Sequence, residues 1–332
     1  MNALITPFSF LLIILAGYVF KRTGWFHDRD YRIIQRVVFT ITIPCVIINS
    51  FATSPHDTSQ LIITAFAFLC SVIPLVIMYA VTWRRPVEER AFMMLNVTGF
   101  NTGNFCMPVT QAYYGPAAVV DAMMFDIGNS AVISSFMNVF TTGSLHIDPT
   151  KPLNDQAHAS GATVLPYVRP TDPHARRLQR RATLRRSLTS LFRSLPFDIY
   201  LLMIALMLLH VDLPHWLATL TQPGANANSF CSMLMVGMLM EMPKDWHEVR
   251  QVGSVIGWRL AVEVACAAAA WFLLPFDVET RKIVMMLCMS PSTVFGTMFT
   301  DRVLGNAQLA GFTLSVTAVI SLACTSAVYM LV

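Results

Sequence analysis

Charge is the scarcest component of this 332-residue sequence: Asp, Glu, Lys and Arg make up 13%, against 55% hydrophobic residues. A soluble domain carries about a quarter charged residues, so this chain is not one, and nucleic acid is not an expected partner. The marks of catalysis and nucleotide use are missing too. "WHEVRQ" from Trp246 holds His247 and Glu248 but places Gln251 where a second His would complete a zinc-protease motif. There is no Gly-x-Ser-x-Gly nucleophile and no phosphate-cradling Gly loop, which argues against an enzyme and against ATP drive. Seven Cys (45, 70, 106, 231, 266, 288, 324) all fall in apolar segments with no Cys-x-x-Cys pair, so they read as packing residues, and neither a metal nor a cofactor is expected. No Lys or Arg precedes the apolar run starting at Ala3, so the basic lead of a cleavable signal peptide is absent and this run is expected to be a helix.

What is abundant is long apolar sequence. A bilayer core about 30 Å thick needs roughly 20 apolar residues per helix, and ten stretches qualify, near 4–20, 33–52, 60–82, 91–113, 117–141, 194–210, 226–242, 252–275, 282–300 and 307–332. "LPHWLATL" (Leu213–Leu220) is too short to span and reads as an interfacial or connecting piece. The expected fold class is an all-α integral membrane protein of ten transmembrane helices. Its 20 Met read as adaptable packing.

The few charges are distributed with a strong bias. Of 23 Lys and Arg, all but Arg281 and Lys282 fall in odd-numbered connections. Cytoplasmic loops collect Lys and Arg, which predicts N- and C-termini outside and odd loops inside, in a plasma (inner) membrane. The long loop, 143–192, turns basic at "ARRLQRRATLRRSLTSLFR". Leu178, Leu184, Leu188 and Leu191 recur there near helical spacing, as in a helix lying on anionic lipid headgroups. The alternative is a regulatory site, with an Arg-Arg-x-Thr phosphorylation pattern at Thr183.

A shift of 190 residues lays "FCMPVTQAYYGPA" (from Phe105) over "FGTMFTDRVLGNA" (from Phe295), matching Phe105/Phe295, Thr110/Thr300, Gly115/Gly305 and Ala117/Ala307, with Asn101 opposite Pro291. The shift maps helix four onto nine and five helices onto five, predicting inverted repeats at 1–142 and 193–332. Pro108 and Pro291 remove helix donors, and Gly99 and Gly103 weaken the helix further. Backbone groups freed at membrane depth are tolerated only where protein or a water-filled cavity satisfies them. Matching interrupted helices in inverted repeats mark a secondary transporter's midplane site, here flanked by Asn101, Asn104, Ser290, Ser292 and Thr293; half-helix N-termini aimed into it favour an anion.

These residues carry a resemblance. "FNTGNFCMPVTQAYYG", "MMFDIGN" (Met123–Asn129), "TIPCVIINSFA" (from Thr42) and "SPSTVFGTMFTDRVLG" (from Ser290) resemble, in order, motifs of the auxin efflux carrier family, in the wider bile, arsenite and riboflavin transporter superfamily. The resemblance implies ten helices in two inverted five-helix repeats, helices four and nine unwinding and crossing at the substrate site. It further implies a small organic anion as substrate, a carboxylate such as malonate or malate, and a core moving against helices one, two, six and seven. By position, Asn101 and Pro108 fall on the first crossover, Pro291 on the second, and Asp126 and Asn129 on the fifth-helix signature; Gly103, Asn104, Ser292 and Thr293 beside them complete the expected substrate-binding set. Cys106, Asn104 and Thr300 depart from the family pattern, which bears on substrate size and identity.

Ionisable side chains in or near membrane spans are functional candidates: Asp121, Asp126, Arg259, Glu263 and Asp301. Asp126 and Asn129 share a helix face and form the preferred coupling site for H⁺ or Na⁺. Arg259 and Glu263, four residues apart, read as a mutual ion pair, with proton coupling or anion attraction as alternatives. Asp301 is either functional or the cytoplasmic end of helix nine. Membrane lipids and a second copy of the chain are the remaining candidate partners. The competing class is a transporter-like receptor or sensor without net flux.

Overall fold

The computed structural model describes residues 2–27, 29–55, 57–148, 153, 156, 162–166, 195–243 and 245–331. The basic stretch at 175–193, with its leucines and Thr183, lies outside the described residues. Among those described, every regular element is helical. In chain order they are α1 (Asn2–Arg22), α2 (Tyr31–Thr53), α3 (Thr58–Val81), α4 (Val87–Val97), α5 (Thr102–Cys106 continuing as Met107–Tyr114) and α6 (Ala117–Ser144). After the long loop come α7 (Leu195–Leu208), α8 (His215–Leu239), α9 (Trp246–Leu273), α10 (Val278–Cys288), α11 (Val294–Leu304) and α12 (Ala307–Leu331).

Among the described residues, five helices are long and apolar enough to cross a bilayer: α2, α3, α6, α9 and most of α12 (Gln308–Met330). α3 shows why the sequence demands lipid. Its outer face presents Ile62, Phe68, Leu69, Ile73 and Val76 while Ile63, Ala67, Leu75 and Met78 are buried, so it is apolar all round. Its start is fixed by Asp57, which accepts hydrogen bonds at 2.7 Å from the Thr58 N–H and at 3.4 Å from the Ser59 N–H. The Ser59 side chain, followed by these backbone donors, holds the Asp57 carboxyl below its usual range.

The helices sort into two packed groups. α1, α2, α7 and α8 form one; α3 to α6 with α9 to α12 form the other. In lipid, close packing replaces the hydrophobic drive and small residues let backbones approach. Between α1 and α8 a Cβ on Gly17 would sit 2.5 Å from the Leu234 carbonyl oxygen, and one on Gly237 would sit 2.0 Å from that of Ile14. Polar side chains tie α2 to α8: Asn49 Nδ2 donates to the Ala218 carbonyl at 2.7 Å and the Thr42 hydroxyl to Asn228 Oδ1 at 2.8 Å.

One expectation is corrected here. "LPHWLATL" is not a separate interfacial piece: from His215 it forms the opening turns of α8, which runs 25 residues through Pro223. Thr221, Asn226, Asn228 and Ser229 dilute the apolar signal over this stretch, yet Asn228 bonds to α2 and the Thr221 hydroxyl bonds back to the Leu217 carbonyl at 2.7 Å. The polarity of Thr221 and Asn228 is spent inside the protein, and the helix continues through both.

Candidate functional site

Two helical runs break, and the breaks touch. The first lies between α4 and α5, over residues 98–101; the second lies between α10 and α11, over residues 289–293. The Asn101 N–H donates to the Pro291 carbonyl at 3.1 Å, joining residues that the 190-residue shift places opposite one another. Gly99 permits the first break twice over. Its φ is +75°, and a Cβ there would lie 2.1 Å from Ile133 Cγ2.

A broken helix leaves carbonyls without partners at the end of its first half. Here one side chain binds four carbonyls at the two breaks, one of which, that of Pro291, also accepts from the Asn101 N–H. Arg259 of α9, only 1% exposed, donates from Nη1 to the Asn96 and Val97 carbonyls at 3.2 and 3.3 Å. From Nη2 it donates to the Ser290 and Pro291 carbonyls at 2.6 and 2.8 Å. Its Nε sits 2.8 Å from Glu263 Oε1, one turn along the same helix. The pairing expected from the sequence is present, and the guanidinium also binds the ends of both broken helices. Arginine suits this because its planar fork presents five donors in fixed directions.

Asn129 does for the first break what Arg259 does for both. Its Nδ2 donates to the Phe100 carbonyl at 2.7 Å, and its Oδ1 accepts from the Phe100 N–H at 3.0 Å and from the Ser71 hydroxyl at 3.1 Å. Both ends of its amide are therefore engaged by the protein. Asp126, three residues earlier, borders a cavity, and its Oδ1 accepts from Asn129 Nδ2 at 3.4 Å. Its Oδ2 accepts from the Tyr200 phenol of α7 at 2.9 Å, a buried hydrogen bond between the two helix groups.

That cavity encloses about 40 Å³, lined by Asn101 to Asn104, Asp126, Tyr200 and Thr293 to Phe295, with Phe39 and Phe197 among its apolar walls. The first turns of α5 and α11 both border it, and first-turn N–H groups have no acceptor within their own helix. At α11 the Thr293 side chain caps the Gly296 N–H at 2.8 Å. At α5 the capping is incomplete. Among the described residues, Asn101 Nδ2, Thr102 Oγ1 and Asn104 Oδ1 are buried without a hydrogen-bond partner, and Asn101 is 3% exposed. The single contact among these side chains is Asn104 Nδ2 to Asn101 Oδ1 at 3.4 Å. Unsatisfied buried polar atoms are rare in native proteins and call for a ligand, an ion or water.

The sequence-derived candidates divide accordingly. Asn101, Gly103, Asn104, Asp126 and Thr293 meet at the cavity, and Pro291 joins through its carbonyl. Pro108 lies past the break, buried at the second position of Met107–Tyr114, where the π turn Thr102–Cys106 has already absorbed the missing donor. Ser292 turns to α12, its hydroxyl 3.1 Å from Thr317 Oγ1. Asp121 accepts from Gln60 Nε2 at 2.9 Å, and Asp301 is exposed in the last turn of α11. Sequence reasoning missed Tyr200, a single phenol in the apolar run of α7. It also missed that three π turns, Val38–Thr42, Thr102–Cys106 and Val132–Phe136, each contribute to the cavity wall. Such turns are frequent at functional sites.

A family model described as "Membrane transport protein" matches residues 4–330, nearly the whole chain and both breaks. The chain belongs to this family. The likeness to auxin efflux carriers read from the crossover motifs is borne out, and with its apolar helices this membrane transport protein is a multi-pass membrane protein. A relative from Methanothermobacter thermautotrophicus (strain ATCC 29096 / DSM 1053 / JCM 10044 / NBRC 100330 / Delta H), named "Uncharacterized transporter", is 26% identical over 134 residues. The match covers 39% of this chain and 44% of that protein, so it spans less than half of the relative's length.

Proposed function

We propose that this membrane transport protein is a secondary carrier of a small organic anion, a carboxylate of the malonate or malate class, and not an enzyme. It would work by alternating access in the plasma membrane, with ten spans arranged as two inverted five-helix repeats and both termini outside. The observation that carries the reading is the set of unpartnered buried polar groups on Asn101, Thr102 and Asn104, where the first turns of two half-helices meet. Helix N-termini attract anions through free N–H groups and the macrodipole, and the Asn101 amide supplies a further donor.

Asp126 in the same cavity gives the coupling its logic. A carboxylate and an anionic substrate repel at close range in a medium of low dielectric. Entry of the anion therefore requires a cation, H⁺ or Na⁺, on Asp126. Tyr200 reads that event from the other helix group, since its phenol donates to Asp126. The two groups of helices are natural moving parts, α1, α2, α7 and α8 against the rest. The cavity has room for only a few waters, so binding a dicarboxylate requires its walls, Phe39 and Phe295 among them, to move.

The test is flux of labelled malonate, malate, lactate and indole-3-acetate into liposomes under imposed pH and Na⁺ gradients, with Asn101→Ala beside the parent. Saturable flux that follows one gradient and is lost in the variant supports the carrier and names the ion. Specific binding with no flux of any of the four would favour a receptor.

A further inference from the structure

Beside the crossover cavity lies a much larger space, an open vestibule of about 1010 Å³ between α2, α7, α8 and α11. Phe39, Pro196, Val294 and Phe295 line both, so one thin apolar wall separates them. The vestibule is basic. Lys21 is neutralised by its ion pair with Glu241, but Arg29, Arg32 and Arg36 have no ion pair within 4 Å among the described residues. Among the described residues, Asp301 is the one other acid on the wall. Arg32 and Arg36 stand four apart at the start of α2, a spacing at which like charges destabilise a helix. All three are exposed, so their guanidinium groups are available to an anion that enters the vestibule.

Positive residues on a cytoplasmic face also serve anionic headgroups. What separates this cluster from such a surface is its neighbours: the arginines share their space with Thr297, Gln308 and Asp301 of the opposite helix group and with Phe295 of the wall. They face a cleft between moving parts that leads to the crossover.

We propose that the vestibule is an inner anion port. Arg29, Arg32 and Arg36 gather small oxyanions, carboxylates in the reading above, and the Phe39/Phe295 wall admits them one at a time to Asn101. The port deepens the carrier proposal and rests on it for the direction of travel, but its charge selectivity can be measured without any transport. Clefts lined by one sign of charge raise local counter-ion concentration by about tenfold or more.

The experiment places a cysteine at Thr40, an exposed position on the vestibule wall, in nanodiscs of neutral phosphatidylcholine. Labelling rates are compared for negatively and positively charged methanethiosulfonates of matched size, with the parent protein as background for the native thiols. The port predicts that the anionic reagent is favoured about tenfold, that Arg32→Gln/Arg36→Gln removes that preference, and that soluble malonate slows labelling. Equal rates for the two reagents, or a preference untouched by the double substitution, overturn it. So does protection that appears only when anionic phosphatidylglycerol replaces the neutral lipid and never with malonate, which would assign the arginines to headgroups. If malonate protects Thr40→Cys yet no carboxylate is carried into liposomes, the port stands and the carrier reading falls.

Discussion

The two breaks are built on one geometric plan and finished differently. At the second, the polar side chains are spent on the protein. The Ser290 hydroxyl donates to the Leu287 carbonyl at 2.6 Å, Ser292 pairs with Thr317, and Thr293 caps its own helix. At the first, Asn101, Thr102 and Asn104 keep buried atoms unpaired, and the backbone is held from outside by Asn129 and Arg259. The second break is therefore a finished structural part and the first an unfinished one. The difference teaches that two helix breaks can share a shape while only one of them keeps buried polar groups unpaired.

The largest way to break this comparison is to remove what both halves share. Arg259→Met strands the buried Glu263 carboxylate and removes a donor from four carbonyls, that of Pro291 keeping the Asn101 N–H. We expect a loss of about 3–5 kcal/mol in stability, seen as a lowered unfolding midpoint in detergent by far-ultraviolet circular dichroism. Adding Glu263→Met should recover much of it, because the uncompensated charge goes too. Next in size, Asn101→Ala should weaken anion binding about tenfold or more, about 1.4 kcal/mol, with the unfolding midpoint unchanged. A midpoint that falls with affinity would show Asn101 to be as structural as its counterpart across the crossing.

A finer cut falls between the helix groups. Tyr200→Phe removes the phenol donor from Asp126 while keeping the ring. The cation concentration for half-maximal flux should shift by about threefold to tenfold, roughly the worth of one hydrogen bond. Anion affinity at saturating cation should hardly move. Flux measured against pH and against Na⁺ separates the two quantities. The smallest effect is expected for Ser292→Ala, about 1 kcal/mol of stability with anion affinity intact.

Much of this was legible in the sequence because lipid imposes simple rules. Apolar length announces helices, and Gly99, Pro108 and Pro291 announced interruption. Arg259 and Glu263 showed as a pair because their four-residue spacing is local. What the sequence hides is the long-range satisfaction of the freed backbone. Nothing in "WRLAVE" says that Arg259 reaches carbonyls more than 160 residues away, and nothing in "MMFDIGN" says that Asn129 is consumed by Phe100 while Asp126 borders a cavity. Pro108 drew attention as the breaker, yet the chain breaks before it, at Gly99, and resolves the proline with a π turn. Asn228 of α8 shows the converse: its partner on α2, Thr42, is invisible until the helices pack.

The asymmetry of the two breaks is tested most directly by equilibrium binding of labelled malonate to purified Asn101→Ala and Ser292→Ala, side by side, each at its cation optimum. The account predicts that Asn101→Ala loses binding about tenfold or more and that Ser292→Ala binds as the parent does. Equal losses in both, or a loss confined to Ser292→Ala, would contradict it.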